Sequence, residues 1–335
     1  MGKIPYDKPH RYYDQQLSLM ESRGLLVNNR KEAIQALKGI GYYRFSAYTY
    51  VFRKHDPTTS ELSIGRRLDE FVDGSCFSDA LLLYRFDEKL RSKIFEGLLA
   101  LEIGLRVRIG YQLGKTNPWA HLNVEFLDDH RANEVIQRSD DKCEKTKFDL
   151  WKETCEKSIS DARHEDFVKH FNHRYLDPLP IWVVTEVLSF GALVRLFELL
   201  RRNDAQKIAK EFAIPNSRLL WKYLHPLTVL RNHCAHGGRI WNRKTVFAPP
   251  IVKDAGQIPD TLLHLKSVSN ERLYFLCALI VHCVTVVDPA TNWPRSFATL
   301  VKKAKLPSSI DVLAAMGFPP NWDQEALWKY DPQKS

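Results

Sequence analysis

FSDALLLYRFDEKLRSKIFEGLLALEIGLRVRIGYQLG, residues 77–114, holds the pattern that decides the fold. Apolar residues recur every three or four positions through the whole stretch, and no proline interrupts it. That spacing predicts one long helix or two collinear ones. Ser78 is the expected N-cap, and Gly114 with Pro118 marks the stop. Working outward, residues 11–26 and 30–38 also read as helices, the second ended by Gly39 and Gly41. GYYRFSAYTYVF (41–52) is dense in aromatics and reads equally as helix or strand, and Pro57 sits in a polar turn. IWVVTEVLSFGALVRLFELL (181–200) is a strong amphipathic helix, preceded by a break at Asp177, Pro178 and Pro180. Pro215-Asn216-Ser217 should cap a helix running toward Gly237, which Pro226 should kink or restart. A Pro-bearing loop at 244–260 leads to a buried helix at 271–287.

The expected fold class is therefore all-α. Three regions are expected: a helical and aromatic segment at 1–75, a helical core at 76–290, and a peripheral tail at 291–335 made of short pieces after Pro307. Residues 128–172 are highly charged with few large apolar groups, and read as an exposed helical insertion or elongated arm within the core region. No internal repeat or low-complexity segment stands out.

With 44% hydrophobic residues, the 335-residue chain can build a packed core. Its 49 Lys and Arg against 40 Asp and Glu leave a formal charge of +9, which suits a polyanionic partner. The six cysteines, at 76, 143, 155, 234, 277 and 283, include no C-x-x-C pair, so neither a zinc ribbon nor a disulfide framework is expected. The N-terminus MGKIPYDKPHRYY lacks an apolar signal region. The most apolar run, Leu273 to Val287, is shorter than the roughly 20 residues a membrane span needs. A cytoplasmic protein with no membrane partner is the expectation. Gly-rich phosphate loops, G-x-S-x-G and H-E-x-x-H are absent from the sequence. The acidic pairs Asp128-Asp129 and Asp140-Asp141 lie in the charged region and read as solvated, so no metal and no cofactor is expected.

The stretch that carries chemistry is LRNHCAHGGRIWNR (230–243). Cleaving RNA without a metal takes a base for the 2′-OH, an acid for the departing 5′-oxygen, and a cation for the phosphorane. His suits the proton transfers near neutral pH, and Arg forks onto phosphate oxygens. Arg231 and His236 supply both. On an ideal helix they lie about 140° apart, whereas Asn232 and His236 share a face. Gly237-Gly238 should end the helix, so His236 need not keep helical direction. The spacing alone is unspecific, since Arg163–His170 and Arg218–His225 match it too. The surroundings add weight. No acidic residue occurs between Glu211 and Asp254, a window that holds Arg218, Lys222, Arg231, Arg239, Arg243, Lys244 and Lys253. Such a face can carry a phosphate backbone. Trp221, Leu224, Leu227 and Leu230 would pack on the opposite side.

These residues closely resemble the bacterial Abi family of abortive-infection proteins. LRNHCAHGGRIWNR and the preceding LPIWVVTEVLSFGALVRLFELL carry the likeness, with RGLLVNNRKEAIQALKGIGYYRFSAY (23–48) and YRFDEKLRSKIFEGLLALEIGLRVRIGYQL (84–113) upstream in the family's order. The resemblance spans roughly residues 8–290. It implies the HEPN superfamily, whose mark is an R-x4–6-H motif on a helical bundle, so a HEPN-like bundle with a charged insertion is expected. It further implies a metal-independent endoribonuclease active as a toxin in phage defence, a homodimer with one composite site, and RNA as substrate. A small structured RNA is the implied antitoxin. On this chain the family's Arg falls on Arg231, its His on His236 and its polar neighbour on Asn232; a second His after the motif His is replaced by Gly237. In a monomer, His225 or His233 would have to assist.

Other residues have two readings each. Glu102 and Arg106, at i and i+4, form either a surface ion pair or a carboxylate that orients Arg231 or His236. Tyr42, Tyr43, Arg44, Phe45 and Tyr48 either pack in the core or stack RNA bases. His282 and Cys283 read as buried, and Trp241 as an anchor after the Gly-Gly turn. Lys222, Arg239, Arg243, Lys244, Tyr43 and Arg44 are the candidate RNA contacts. A non-catalytic RNA-binding module and a helical interaction protein without nucleic acid are the competing functions.

Overall fold

The computed structural model describes residues 5, 9–57, 67–136, 144–252, 254 and 256–330. Lys253, Asp140, Asp141 and Cys143 lie outside the described residues. The chain is predominantly helical and divides into two compact units, 1–90 with 302–312, and 91–301 with 313–335.

In the first unit, α1 (Tyr13–Ser22), α2 (Arg30–Ile40) and α3 (Tyr42–Thr49) precede a short antiparallel pair, β1 (Arg53–His55) and β2 (Arg67–Phe71). Asn29 caps α2 by accepting from the Glu32 N–H at 3.1 Å. Gly41, at φ +84°, takes the left-handed turn that separates α2 from α3. The aromatic stretch whose pattern fitted helix and strand equally is helical through Thr49 and turns extended only at Arg53. Phe45 and Tyr48 are core, and the Tyr48 hydroxyl donates to Asp87 at 2.6 Å. The long helix α4 (Phe77–Gly114) begins in this unit. Its first turn closes on the Cys76 carbonyl, so Ser78 lies inside the helix and is not its N-cap.

The second unit contains the rest of α4. It continues with α5 (Asp129–Ala132), the two-residue strands β3 (Val135–Ile136) and β4 (Lys145–Thr146), α6 (Lys147–Asp161) and α7 (Asp166–Arg174). Next come α8 (Ile181–Val187), α9 (Phe190–Leu199), α10 (Arg202–Glu211), α11 (Ser217–Ala235), α12 (Leu273–Val287) and α13 (Trp293–Lys302). Every residue of α12 from Leu273 to Val284 is buried, His282 and Cys283 included, which places α12 at the centre of the core. On α4, Ile94, Leu98, Leu101, Leu105, Ile109 and Leu113 form the buried stripe at helical spacing.

Three sequence expectations need correction. The 181–200 helix breaks: Leu188 and Ser189 are extended, and Ser189 caps α9 through the Ala192 N–H at 3.3 Å. A serine inside an apolar run competes for backbone donors and restarts the helix. Of the two readings of the charged region, the structure has helices, as the insertion reading expected, and not an elongated arm. Thr146 and Asp149 form a capping box that starts α6, whose Trp151 and Cys155 are buried and whose one face packs on α8 and α9. The tail is not peripheral either: Trp322, Leu327 and Trp328 are buried, and the Trp328 indole donates to the Tyr274 hydroxyl at 3.1 Å. Pro226 sits inside α11 without restarting it.

Candidate active site at the end of α11

Asn216 starts α11 by accepting from the Leu219 N–H at 2.8 Å. Leu219, Leu220, Tyr223, Leu224, Leu227, Leu230 and Cys234 then form its buried stripe, which fixes the rotation of the helix. Trp221, expected on that packed side, is only half-buried. Arg231 falls at the edge of the stripe, and Asn232 and His236 fall outside it, exposed.

Arg231 turns toward α4. Its Nε donates to Glu102 Oε2 at 3.2 Å, and its guanidinium carbon lies 5.7 Å from the Phe95 ring centroid. Glu102 is only 3% exposed. Its other oxygen accepts from Arg106 Nη2 at 3.2 Å. Arg106 in turn donates through Nε to the Thr185 carbonyl at 2.6 Å and through Nη2 to the Leu188 carbonyl at 3.2 Å. Those carbonyls are the ones the α8–α9 break leaves without helical donors. One buried carboxylate thus sits between two guanidinium groups, and the trio keeps a net positive charge. A carboxylate so buried needs such partners.

His236 is the C-cap of α11, at φ −91° and ψ 12°, with its N–H on the Asn232 carbonyl at 3.0 Å. Gly237 follows at φ +65°; its N–H bonds the Cys234 carbonyl at 3.2 Å, and Gly238 N–H bonds the His233 carbonyl at 2.8 Å. This pair of bonds is a Schellman motif, whose left-handed position wants glycine. Gly237 is therefore the residue that turns the chain. His233, half-buried beside the cap, has its pKa lowered by burial first, and then by the charges of Arg243 and His236. His233, His236 and Arg243 thus share one electrostatic neighbourhood, and Arg231, Glu102 and Arg106 form a hydrogen-bonded one.

The remaining sequence candidates are scattered. Arg243 is exposed, Lys222 and Arg239 are half-exposed, and Lys244 pairs with Glu271 at 3.0 Å. Tyr43 is 91% exposed and Arg44 is exposed, both on α3 of the first unit, whereas Phe45 and Tyr48 are core. Trp241 is fully buried, an anchor and not a stacking platform. Sequence reasoning missed Phe95 and the Thr185 and Leu188 carbonyls. Phe95, Glu102 and Arg106 stand at i, i+7 and i+11, one helical face, so the signal for Phe95 was present. Among the described residues, no three or more His, Cys, Asp or Glu gather as a metal-binding group, and no helix is long and apolar enough to cross a membrane.

The profile of the family described as Abi-like protein matches residues 35–242, more than half of the chain, and takes in Glu102, Arg106, Arg231 and His236. No curated protein and no solved structure matches the chain. On the strength of that match, the chain belongs to the Abi-like protein family.

Proposed function

We propose that this chain is a metal-independent endoribonuclease of the HEPN type, acting as an abortive-infection toxin in phage defence. Membership of the Abi-like family suggests the abortive-infection role. The observation that carries the chemistry is Arg231, held on the buried Glu102 one turn before an exposed His236. Glu102 occupies only the Nε–H of Arg231; a guanidinium has four further N–H donors, enough to fork onto a phosphodiester.

The reaction is a transesterification. A base takes the 2′-OH proton, the 2′-oxygen bonds phosphorus, the bond from phosphorus to the 5′-oxygen breaks, and an acid protonates that oxygen. A 2′,3′-cyclic phosphate and a 5′-OH result. Arg231 stabilises the phosphorane charge and His236 transfers a proton. Asn232, exposed on the same face of α11 as His236, supplies a neutral hydrogen-bonding contact. Base and acid together call for two imidazoles, which a homodimer delivers by bringing two copies of the motif to one site. The exposed Arg243 and the half-exposed Lys222 and Arg239 extend the positive surface for substrate, or for a small structured RNA that neutralises the toxin.

The test is cleavage of purified RNA with and without EDTA. Cleavage should survive EDTA and leave cyclic phosphate ends. Arg231→Ala and His236→Ala should each lose on the order of 100-fold or more in rate while melting within a few degrees of the parent. Cleavage that requires added divalent metal would overturn the mechanism. If the parent never cleaves while His236→Ala holds RNA as tightly as the parent, the chain is an RNA-binding module instead.

A further inference from the structure

Between α6, α9 and α11 lies a cavity of about 350 Å³, lined by Leu150, Val194, Trp221 and His225 among others. That volume falls in the range of about 300–1,000 Å³ typical of small-ligand sites. None of the catalytic candidates lines it. Its chemistry is nonetheless particular. Trp221 and His225 stand with ring centroids 6.0 Å apart, and His225 meets the exposed Phe247 edge to face at 4.5 Å. Trp221 and His225 line the cavity, and Phe247 packs against His225.

The cations at the rim differ in what holds them. Lys147 is paired with both Glu198 at 2.7 Å and Glu134 at 2.9 Å, a cluster that is negative by one charge. Arg195 is exposed, and its Nη1 donates to the Thr154 hydroxyl at 3.2 Å. Among the described residues no carboxylate lies within ion-pair distance of it. Lys147 with its two carboxylates carries one negative charge and Arg195 one positive, so the four groups sum to zero; Arg195 is the exposed cation, three residues from Glu198 on the same helix. Two aromatic rings, tilted by 37° to each other, beside one exposed guanidinium fit a ligand that is planar at one end and anionic at the other.

Helical geometry ties the cavity to the candidate active site. Taking about 100° per residue, Trp221, His225, Thr228, Val229, Asn232 and His236 fall within an arc of about 100° on α11. The first four line the cavity, and the last two are the exposed candidates at the helix end. From His225 to His236 the helix rises about 16 Å. A strand lying along this face would touch both.

We infer that this cavity is a nucleobase subsite for single-stranded RNA. One unpaired base stacks against Trp221 and His225, and Arg195 takes its phosphate. The inference rests on the reading of the chain as an RNA-cleaving protein, and deepens it by specifying an unpaired substrate base on the same helix face, about 16 Å from the scissile linkage.

The test uses the full chain carrying His236→Ala, so that substrate is not consumed. Affinity is measured by fluorescence anisotropy for oligo(A) and oligo(U) RNA, and for an abasic ribose-phosphate oligomer of the same length. The base-bearing oligomers should bind about tenfold more tightly than the abasic one, the gain expected from stacking a base. Adding Trp221→Ala should bring that ratio close to one, whereas Trp221→Phe should keep most of it. Arg195→Ala should weaken all three oligomers alike and lower the salt slope by about one. Circular dichroism melts show whether Trp221→Ala stays folded, and the Phe and Arg195 variants stand in if it does not. A ratio unchanged by Trp221→Ala, or base-bearing RNA binding no better than abasic, would overturn the subsite while leaving the ribonuclease reading intact. Failure of every oligomer to bind the parent, with no cleavage of any RNA, would overturn both.

Discussion

Glu102 is a single side chain on which two cations depend, and that makes it the most informative residue to alter. Removing it as Glu102→Ala leaves Arg231 and Arg106 without their shared carboxylate, at a cost of about 3 kcal/mol in denaturant unfolding. Glu102→Gln keeps the shape and one acceptor. It should leave the fold largely intact, lower the cleavage rate more than tenfold and change KM for RNA little, because a positioning residue acts on geometry at the transition state. An unchanged rate in Glu102→Gln would mean that Arg231 needs no orientation. His121 makes a separate claim. It is 1% exposed, neither ring nitrogen has a hydrogen-bond partner, and burial lowers its pKa to about 4. Above its ordinary value near 6.5 both folded and unfolded chains hold it neutral. As pH falls below 6.5 the unfolded chain takes a proton that the folded chain refuses, so stability drops until about pH 4, by roughly 3 kcal/mol in all. His121→Leu should therefore lose less stability between pH 7 and pH 5 than the parent, by about 2 kcal/mol in urea titrations. Equal losses in the two proteins would refute the assignment.

Helices meet closely where α4 passes α12 and α13, and Gly97 is one of the close contacts. A β-carbon there would stand 2.7 Å from the Trp293 ring and 2.8 Å from Ile280. Gly97→Ala should cost about 1–3 kcal/mol by overpacking. Gly39→Ala, on α2 with open space around it, should gain about 0.5–1 kcal/mol from helix propensity. Paired melts of the two variants give opposite signs, and a shared sign would contradict the packing described. The same elements show what a sequence can and cannot disclose. The bounds of α4 were legible because an unbroken apolar period ends at a glycine and a proline. The α8–α9 break was not, because Ser189 is neutral in a helix interior and decisive only as a cap. Trp151 escaped notice because one large apolar residue among charges gives a weak period, although its burial seats all of α6. At the site, the Arg–His motif and the Schellman glycines were readable from local spacing. The Arg231–Glu102 bond joins residues 129 positions apart; periodicity tells which face a residue takes, not which helix will meet it.

Charge and copy number belong to the molecule as a whole. Under the proposed function, a surplus of nine positive charges favours RNA without choosing a sequence, so affinity for it should fall steeply with salt. Copy number is the sharper question. One motif per chain supplies one His236, yet the proposed reaction needs a base and an acid at one linkage. The adjoining face of α4 bears on this. Leu99, Ile103, Val107 and Tyr111 repeat every four residues and are 42%, 46%, 58% and 61% exposed. They form an apolar row about 18 Å long on the helix that carries Glu102 and Arg106. Rows of this kind mark contact surfaces, and under the proposed composite site a second copy of the chain covers this one. Ile103→Glu places a charge in the row at a position already open to solvent, so the fold should survive it. The parent should sediment as a dimer, and Ile103→Glu should sediment as a monomer with cleavage reduced on the order of 100-fold. A parent that turns over RNA at full rate as a monomer would remove the second imidazole from the mechanism, and His225 or His233 of the same chain would have to take its place.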